Sequence, residues 1–107
     1  MGSYLIIESR DPFGSADADY GAATALADHG DDVTVYLVQN GVLATREAST
    51  AAGAIGQLAG KVSLLADDFS LRERGISDDE IVDGVSVSGM DALVDLIAED
   101  GRKVIWL

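Results

Sequence analysis

The stretch Tyr4 to Ser15, YLIIESRDPFGS, decides the fold, because it joins an apolar segment to the start of a helix. Tyr4 to Ile7 is a short run of residues that favour β-strands. Pro12, the only proline in the chain, and Gly14 then form a loop, and Ser15 can cap the following helix. A strand that leads directly into a helix N-terminus directs unpaired backbone N–H groups into one crevice. This crevice is the first place to look for a binding site.

Strands and helices alternate along the rest of the chain. Polar or glycine-containing turns separate the apolar runs, and the run Val33–Val38 is continuous, as in parallel strands covered on both faces. The order predicts one domain over residues 1–107 of the α/β class, a flavodoxin-like three-layer sandwich. Its sheet has five mainly parallel strands with helices on both faces. We predict strands at Ser3–Glu8, Val33–Val38, Val62–Ala66, Val85–Val87 and Lys103–Leu107, helices at Ser15–His29, Arg46–Ala59 and Met90–Asp100, and a charged connection at Ser70–Gly75.

The spacing of apolar residues divides two helices into sides. Residues three, four and seven positions apart share one side of a helix. In the first helix the predicted buried side consists of Ala18, Ala22, Ala25, Leu26 and His29. In the last helix one face consists of Met90, Leu93, Val94, Leu96 and Ile97, and Asp91, Asp95 and Glu99 form another.

Composition excludes several classes of function. The formal net charge is −12, which repels nucleic acid and anionic membranes, so we expect neither as a partner. The acidity, with abundant alanine and glycine, is typical of a salt-adapted, halophilic protein; an acidic surface for a basic partner is the alternative. The chain contains no cysteine, which excludes disulfides, thiolate metal sites and thiol nucleophiles. No apolar run approaches the ~20 residues of a membrane span, and we expect a cytoplasmic protein.

Several motifs resemble the DsrE/DsrF-like family, which includes the TusBCD sulfur-relay subunits. The family's first strand leads into an aspartate-proline-aromatic-glycine loop, here Asp11 to Gly14, and its first helix ends at a glycine, here Gly30. LRERGI at Leu71–Ile76 resembles the arginine-glycine connection after the third strand, and the closing strand fits the TusB-like branch. The resemblance extends over nearly the whole chain.

The resemblance implies a cytoplasmic homo-oligomer, a trimer or hexamer, or a hetero-oligomer with related subunits. It also implies sulfur transfer through a persulfide on a cysteine that lies four residues before the arginine-glycine pair. Ser70 stands four residues before Arg74 and lacks that chemistry. We therefore expect no catalytic residue, no cofactor and no metal. The expected function is that of a sulfur-relay accessory subunit that associates with other subunits or binds a small ligand.

In parallel α/β sheets, ligands bind beyond the carboxyl ends of the strands. The polar side chains and backbone groups predicted there are the candidate ligand-binding residues. Among them, Arg10 and the helix start at Gly14 and Ser15 form a possible site for a phosphate or sulfur oxyanion. The candidates are Arg10, Asp11, Gly14, Ser15, Gln39, Asn40, Asp67, Ser70 and Arg74.

The same sheet edge suggests a second kind of site. Asp11, Asp67 and Asp68 suggest a receiver-like domain that uses a metal or phosphate. Such domains need a lysine after the fifth strand, whereas Lys103 stands at its start. His29, the single histidine, is predicted at the far end of the first helix, which argues against a catalytic triad with Ser70. Three aromatic residues fit either a subunit interface or the core: Tyr36, Phe69 and Trp106.

Overall fold

A computed structural model of the chain describes residues 2–13 and 16–107. The strands are β1 at Ser3–Glu8, β2 at Asp32–Leu37, β3 at Ser63–Asp67, β4 at Val85–Ser88 and β5 at Arg102–Trp106. The α-helices are α1 at Ala16–Asp28, α2 at Ala52–Ala59, α3 at Asp68–Glu73 and α4 at Met90–Ala98. Two 3-10 helices lie at Gln39–Thr45 and Asp78–Glu80.

The five strands form one sheet in the order β4-β3-β2-β1-β5, and every neighbouring pair is parallel. The predicted α/β class, with a five-stranded parallel sheet between helices, is confirmed. The strand order differs from the 2-1-3-4-5 order of flavodoxin, so the likeness to flavodoxin lies in the layers and not in the connections.

The direction of winding decides which helix covers which face. The chain steps from β1 to β4 in one direction, so right-handed crossovers place α1 and α2 on the same face. The step from β4 back to β5 reverses direction and places α4 on the opposite face. The first face buries the larger hydrophobic cluster, to which α1 contributes Tyr20 and α2 contributes Ile55 and Leu58. The second face buries a smaller cluster made of Leu5, Ile7, Tyr36, Val38 and Leu93.

The second face is only partly covered, because a single helix packs on it. Of the residues of α4, only Leu93 is buried. The strand register pairs Leu5 with Val104 and Ile7 with Trp106, which places both β5 side chains on the α4 face. On the apolar face of this helix, Leu93 is buried and Leu96 is partly buried, whereas Met90, Val94 and Ile97 are exposed.

The predicted buried side of α1 is wrong. Its buried residues are Ala16, Asp19, Tyr20 and Ala23. Alanines lie on every side of this helix, so its sequence distinguishes the sides poorly. The burial of the large Tyr20 ring and the contact of Asp19 with β1 decide the orientation. The residues predicted to be buried are exposed or partly exposed: Ala18, Ala22, Ala25, Leu26 and His29.

Two predicted connections have a different structure. The predicted turn after β2 is the start of the 3-10 helix Gln39–Thr45, and the predicted helix 46–59 is helical only at Ala52–Ala59. Arg46 instead forms an antiparallel bridge with Ile81, which takes its backbone out of helical pairing. The predicted charged connection at Ser70–Gly75 lies largely within α3. This helix begins there because the Asp67 side chain accepts a hydrogen bond from the Ser70 N–H.

Candidate functional site

The carboxyl end of β3 carries a closed hydrogen-bond arrangement around Ser70. Asp67 Oδ2 accepts hydrogen bonds from the Ser70 N–H at 3.0 Å and from Ser70 Oγ at 2.7 Å. Ser70 Oγ in turn accepts a hydrogen bond from the Gln39 N–H at 2.9 Å. Asp67 is 2% exposed and Ser70 is 4% exposed. The serine hydroxyl therefore has a donor and an acceptor partner, both within the protein.

Arg74 ties the end of α3 to the loop after β2. Its guanidinium donates hydrogen bonds to Asn40 Oδ1 at 3.2 and 3.1 Å and to the Ser70 carbonyl oxygen at 3.2 Å. Gln39, the neighbour of Asn40, has a φ of 51°, a left-handed conformation that is uncommon for a residue other than glycine. The structure thus brings together five of the predicted site residues: Gln39, Asn40, Asp67, Ser70 and Arg74.

An open pocket of about 340 Å³ lies over this arrangement, between α3, α4 and the end of β5. Its floor includes Asp67, Ser70 and Gln39, and its walls are mainly apolar. The wall residues on α4 were not predicted as site residues, because their spacing indicated only an apolar helix face, and Phe69 and Trp106 were predicted as interface or core residues. The sequence contained one indication of the α4 wall residues. The apolar side of α4 is wider than packing against the sheet alone requires. The wall residues include Phe69, Met90, Leu93, Val94, Ile97 and Trp106.

A second polar group lies at the carboxyl end of β1, where Glu8 is 1% exposed. Burial, followed by the neighbouring Asp19 side chain, raises the pKa of Glu8 to about 7, against the opposing effect of the Arg10 N–H. That N–H donates to Glu8 Oε1 at 2.9 Å, and the Arg10 guanidinium lies 3.5 Å from Asp19 Oδ2. Together these effects favour the protonated form of Glu8 more than in an ordinary carboxyl group.

Glu8 and Asp19 were not predicted as site residues. Glu8 follows the apolar run of β1 without a break, which assigned it to a strand end. An acidic residue that continues a buried strand was the available signal, but its partner Asp19 depended on the orientation of α1. Burial also raises the pKa of Tyr20, with Glu8 as the next cause, so the second polar group extends from the strand into the helix.

The remaining predicted site residues are not gathered into one place. Asp11 is exposed, and its Oδ1 accepts a hydrogen bond from the Phe13 N–H at 2.8 Å within the loop. Gly14 and Ser15 lie outside the described residues, so the oxyanion site stays a prediction. Arg10 belongs to the Glu8 group, away from the Ser70 arrangement.

The structure does not favour the receiver-like alternative. Asp67 Oδ2 accepts a hydrogen bond from Ser70 Oγ, and Asp68 forms an ion pair with Arg72 at 3.6 Å. Among residues 2–13 and 16–107, no three side chains of His, Cys, Asp or Glu are grouped to hold a metal ion. The strand order β4-β3-β2-β1-β5 also differs from the 2-1-3-4-5 order of receiver domains.

His29 lies where the sequence placed it with respect to Ser70. It follows the last residue of α1, is exposed, and its Nδ1 is 3.3 Å from Asp31 Oδ2. Because α1 runs back from the carboxyl edge, His29 is at the amino edge of the sheet, opposite Ser70. A triad of these two residues is therefore excluded by the fold.

These observations define a class: a small parallel α/β protein with an apolar pocket over the carboxyl edge of its sheet. The chain belongs to the DsrE/DsrF-like family, whose model matches residues 2–107. A search of curated proteins found no match to the sequence. None of the described helices is long and apolar enough to cross a membrane.

Solved structures show the same fold at low sequence identity. YchN from E. coli is 20% identical over 100% of both chains, with a TM-score of 0.85. MTH1491 from Methanobacterium thermoautotrophicum is 24% identical over 98% of this chain and 97% of that one, with a TM-score of 0.76. BT1422 from Bacteroides thetaiotaomicron is 15% identical over 98% of this chain and 95% of that one, with a TM-score of 0.79. At these identities the likeness concerns the fold.

Proposed function

We propose that this chain is a cysteine-free binding and assembly subunit of its family, which serves sulfur relay as an accessory component and does not carry sulfur itself. The observation that carries this proposal is the hydrogen-bonded Ser70. Its hydroxyl donates to Asp67 and accepts from the Gln39 N–H at the position where the resemblance places the reactive cysteine. A hydroxyl has no sulfur and therefore does not carry a persulfide, and the proton of this hydroxyl is held in a hydrogen bond to Asp67 at 2.7 Å.

The second element of the proposal is self-association through the α4 face. Trp106 is 63% exposed and Val94 is 56% exposed, and Met90 and Ile97 lie beside them around the pocket. Contiguous exposed apolar residues of this kind mark interaction surfaces. We propose a trimer or hexamer of this chain, or a mixed complex with related subunits. The cytoplasm is the proposed location, and salt adaptation is the proposed reason for the acidic composition.

Light scattering coupled to size exclusion tests the assembly. The expected result is a mass that is a multiple of the 11.1 kDa chain at several protein concentrations and in high salt. Val94→Asp should shift the mass toward the monomer, since it places a charge in the apolar surface. Ala22→Asp, at an exposed position of α1 on the other face of the sheet, should leave the mass unchanged.

Co-expression with a cysteine-containing family member tests the accessory role. A complex of the two chains, reduced by Val94→Asp and not by Ala22→Asp, supports the mixed assembly. A strict monomer in all conditions that also forms no complex with such a member overturns the proposal. Transfer of labelled persulfide sulfur to this chain alone would also overturn it.

A further inference from the structure

The pocket over Ser70 has apolar walls and a floor that carries negative charge. We propose that it binds a small organic cation, an amine attached to an apolar body, with the amine directed toward Asp67 and Glu73. This inference rests on the proposed function, because it names the class of ligand for the binding site of that subunit.

The size and walls of the pocket suit a small apolar body. Its volume of about 340 Å³ lies within the range of roughly 300–1,000 Å³ that is typical of small-molecule sites. Met90, Leu93, Val94 and Ile97 from α4 form one side, and Trp106 from β5 closes another. Methionine adapts its shape to the ligand, and an indole ring attracts a cation over its face.

The charge of the floor selects a cation. Among the described residues, the only charged side chains that line the pocket are Asp67 and Glu73, and both are acidic. Glu73 Oε1 lies 3.9 Å from Arg74 Nη1, so Asp67 carries the larger part of the negative charge, which a carboxylic acid or a phosphate ester would meet as like charge. An ammonium group instead supplies hydrogen-bond donors that a carboxylate accepts strongly.

Asp67 also has an unused acceptor. Its Oδ2 binds Ser70, whereas its buried Oδ1 has no hydrogen-bond partner among the described residues. A buried polar atom without a partner is costly, and a donor from a ligand would remove that cost. The neighbouring Gln39 is held in its left-handed conformation by the hydrogen bond from its N–H to Ser70 Oγ, so the floor is formed before any ligand arrives.

The fluorescence of Trp106 measures occupancy directly, because it is the only tryptophan in the chain and lines the pocket. We would titrate the full chain with octylamine, octanol and octanoate, which share one alkyl body and differ in the head group. About 1 M KCl suppresses nonspecific attraction between the amine and the acidic surface. Octylamine should shift the emission to the blue and bind about tenfold more tightly than octanoate, with octanol between them.

Matched variants distinguish the effect of the acidic residues in the pocket from that of the acidic protein surface. Glu73→Gln should weaken octylamine binding several-fold, and Asp67→Asn should weaken it more, while neither should affect octanol strongly. Asp95→Asn removes one negative charge from an exposed position of α4 that does not line the pocket, and octylamine binding should not change. Glu73 is exposed and outside the core, so its variant tests the idea even if Asp67→Asn fails to fold.

Several outcomes would overturn the inference. Equal affinity for octylamine and octanoate would show a merely apolar pocket, and equal losses in Glu73→Gln and Asp95→Asn would show a surface charge effect. No change in emission with any of the three probes would show that the pocket does not bind them. Assembly and ligand binding share Met90, Val94, Ile97 and Trp106, so light scattering on the same samples records whether octylamine changes the mass. An oligomer that ignores octylamine overturns the ligand class and leaves the assembly role standing.

Discussion

Glu8 and Asp67 are two buried carboxyl groups at the carboxyl edge of one sheet, and they differ in their partners. Glu8 ends β1 and is 1% exposed, and Asp67 ends β3 and is 2% exposed. Asp67 accepts hydrogen bonds from the N–H and the hydroxyl of Ser70. Glu8 accepts one from the Arg10 N–H and faces a second acid, Asp19.

The comparison shows that burial alone does not decide the chemistry of an acid. Asp67 meets donors, because the first turn of α3 presents an unpaired N–H to it. Glu8 meets another carboxyl group, so burial and that neighbour together favour its protonated form. Asp67, at the end of β3, is thus a helix cap beside a pocket. Glu8, at the end of β1, is a carboxyl group with a raised pKa.

The largest expected effect that separates the two acids is a loss of stability as pH rises. The pKa of Glu8 is raised from 4.5 to about 7, so its contribution is complete below pH 4.5 and is lost as pH rises through about 7. The free energy of unfolding should fall by about 3 kcal/mol over that interval. Denaturation by urea at closely spaced pH values measures this slope.

Glu8→Gln is the matching variant for that slope. The amide keeps the shape of the protonated acid, so the fall between pH 5 and 7 should largely disappear. Asp17→Asn, an exposed acid in the first turn of α1, should leave the slope as in the parent chain. A slope that persists in Glu8→Gln would assign the titration to another group and contradict the raised pKa of Glu8.

The second effect concerns the cap. Asp67→Ala removes the acceptor for both Ser70 donors and should lower the free energy of unfolding by about 2 kcal/mol at pH 7. Asp68→Ala removes only an exposed pair with Arg72 and should cost less than about 0.5 kcal/mol. Similar losses in both variants would show that Asp67 contributes no more than a surface charge.

The third expected effect concerns the reactivity of a thiol placed at position 70, among the hydrogen-bond partners of Ser70. In Ser70→Cys, burial and the adjacent Asp67 should raise the pKa of the introduced thiol. Alkylation near pH 7 should then be about tenfold slower than in Thr50→Cys, an exposed control. A thiol at position 70 that reacts faster than the control would mean that the setting still activates sulfur and that only the atom has changed.

The smallest effect concerns Arg10, whose positive charge lowers the pKa of Glu8. Arg10→Ala should raise the titration midpoint of Glu8 by about half a pH unit, because the guanidinium is half exposed and screened by solvent. Carbon NMR of the Glu8 carboxyl measures the midpoint. Arg72→Ala, at the other strand end, should not move it, and a lower midpoint in Arg10→Ala would contradict the assigned sign.

Much of the Ser70 arrangement was predictable from the sequence. The carboxyl ends of β2 and β3 were placed to within one residue from their apolar runs, and parallel strands bring these ends to one edge. That rule alone placed Gln39 and Asn40 near Asp67 and Ser70. The helical state of α3 was missed because its sequence is short and charged, and its cap depends on the Asp67 side chain.

The Glu8 pair and the pocket walls were not predictable in the same way. Asp19 reaches Glu8 only because α1 is turned so that Tyr20 is buried, and its many alanines leave that rotation open to tertiary contacts. The apolar side of α4 indicated burial, yet Met90, Val94 and Ile97 remain exposed around the pocket. Hydrophobic periodicity indicates which side of a helix is apolar. It does not indicate whether the surface that packs against that side belongs to the same chain.

The local pattern of residues was enough for the order of elements and the parallel sheet, because both follow from propensity and periodicity. The resemblance of short motifs indicated the family, and the sequence itself shows that position 70 is a serine. The rotation of α1, the approach of Asp19 to Glu8 and the pocket against Trp106 arose from packing. They depend on contacts between segments far apart in the chain, and the reversal of direction between β4 and β5 placed α4 on the second face of the sheet.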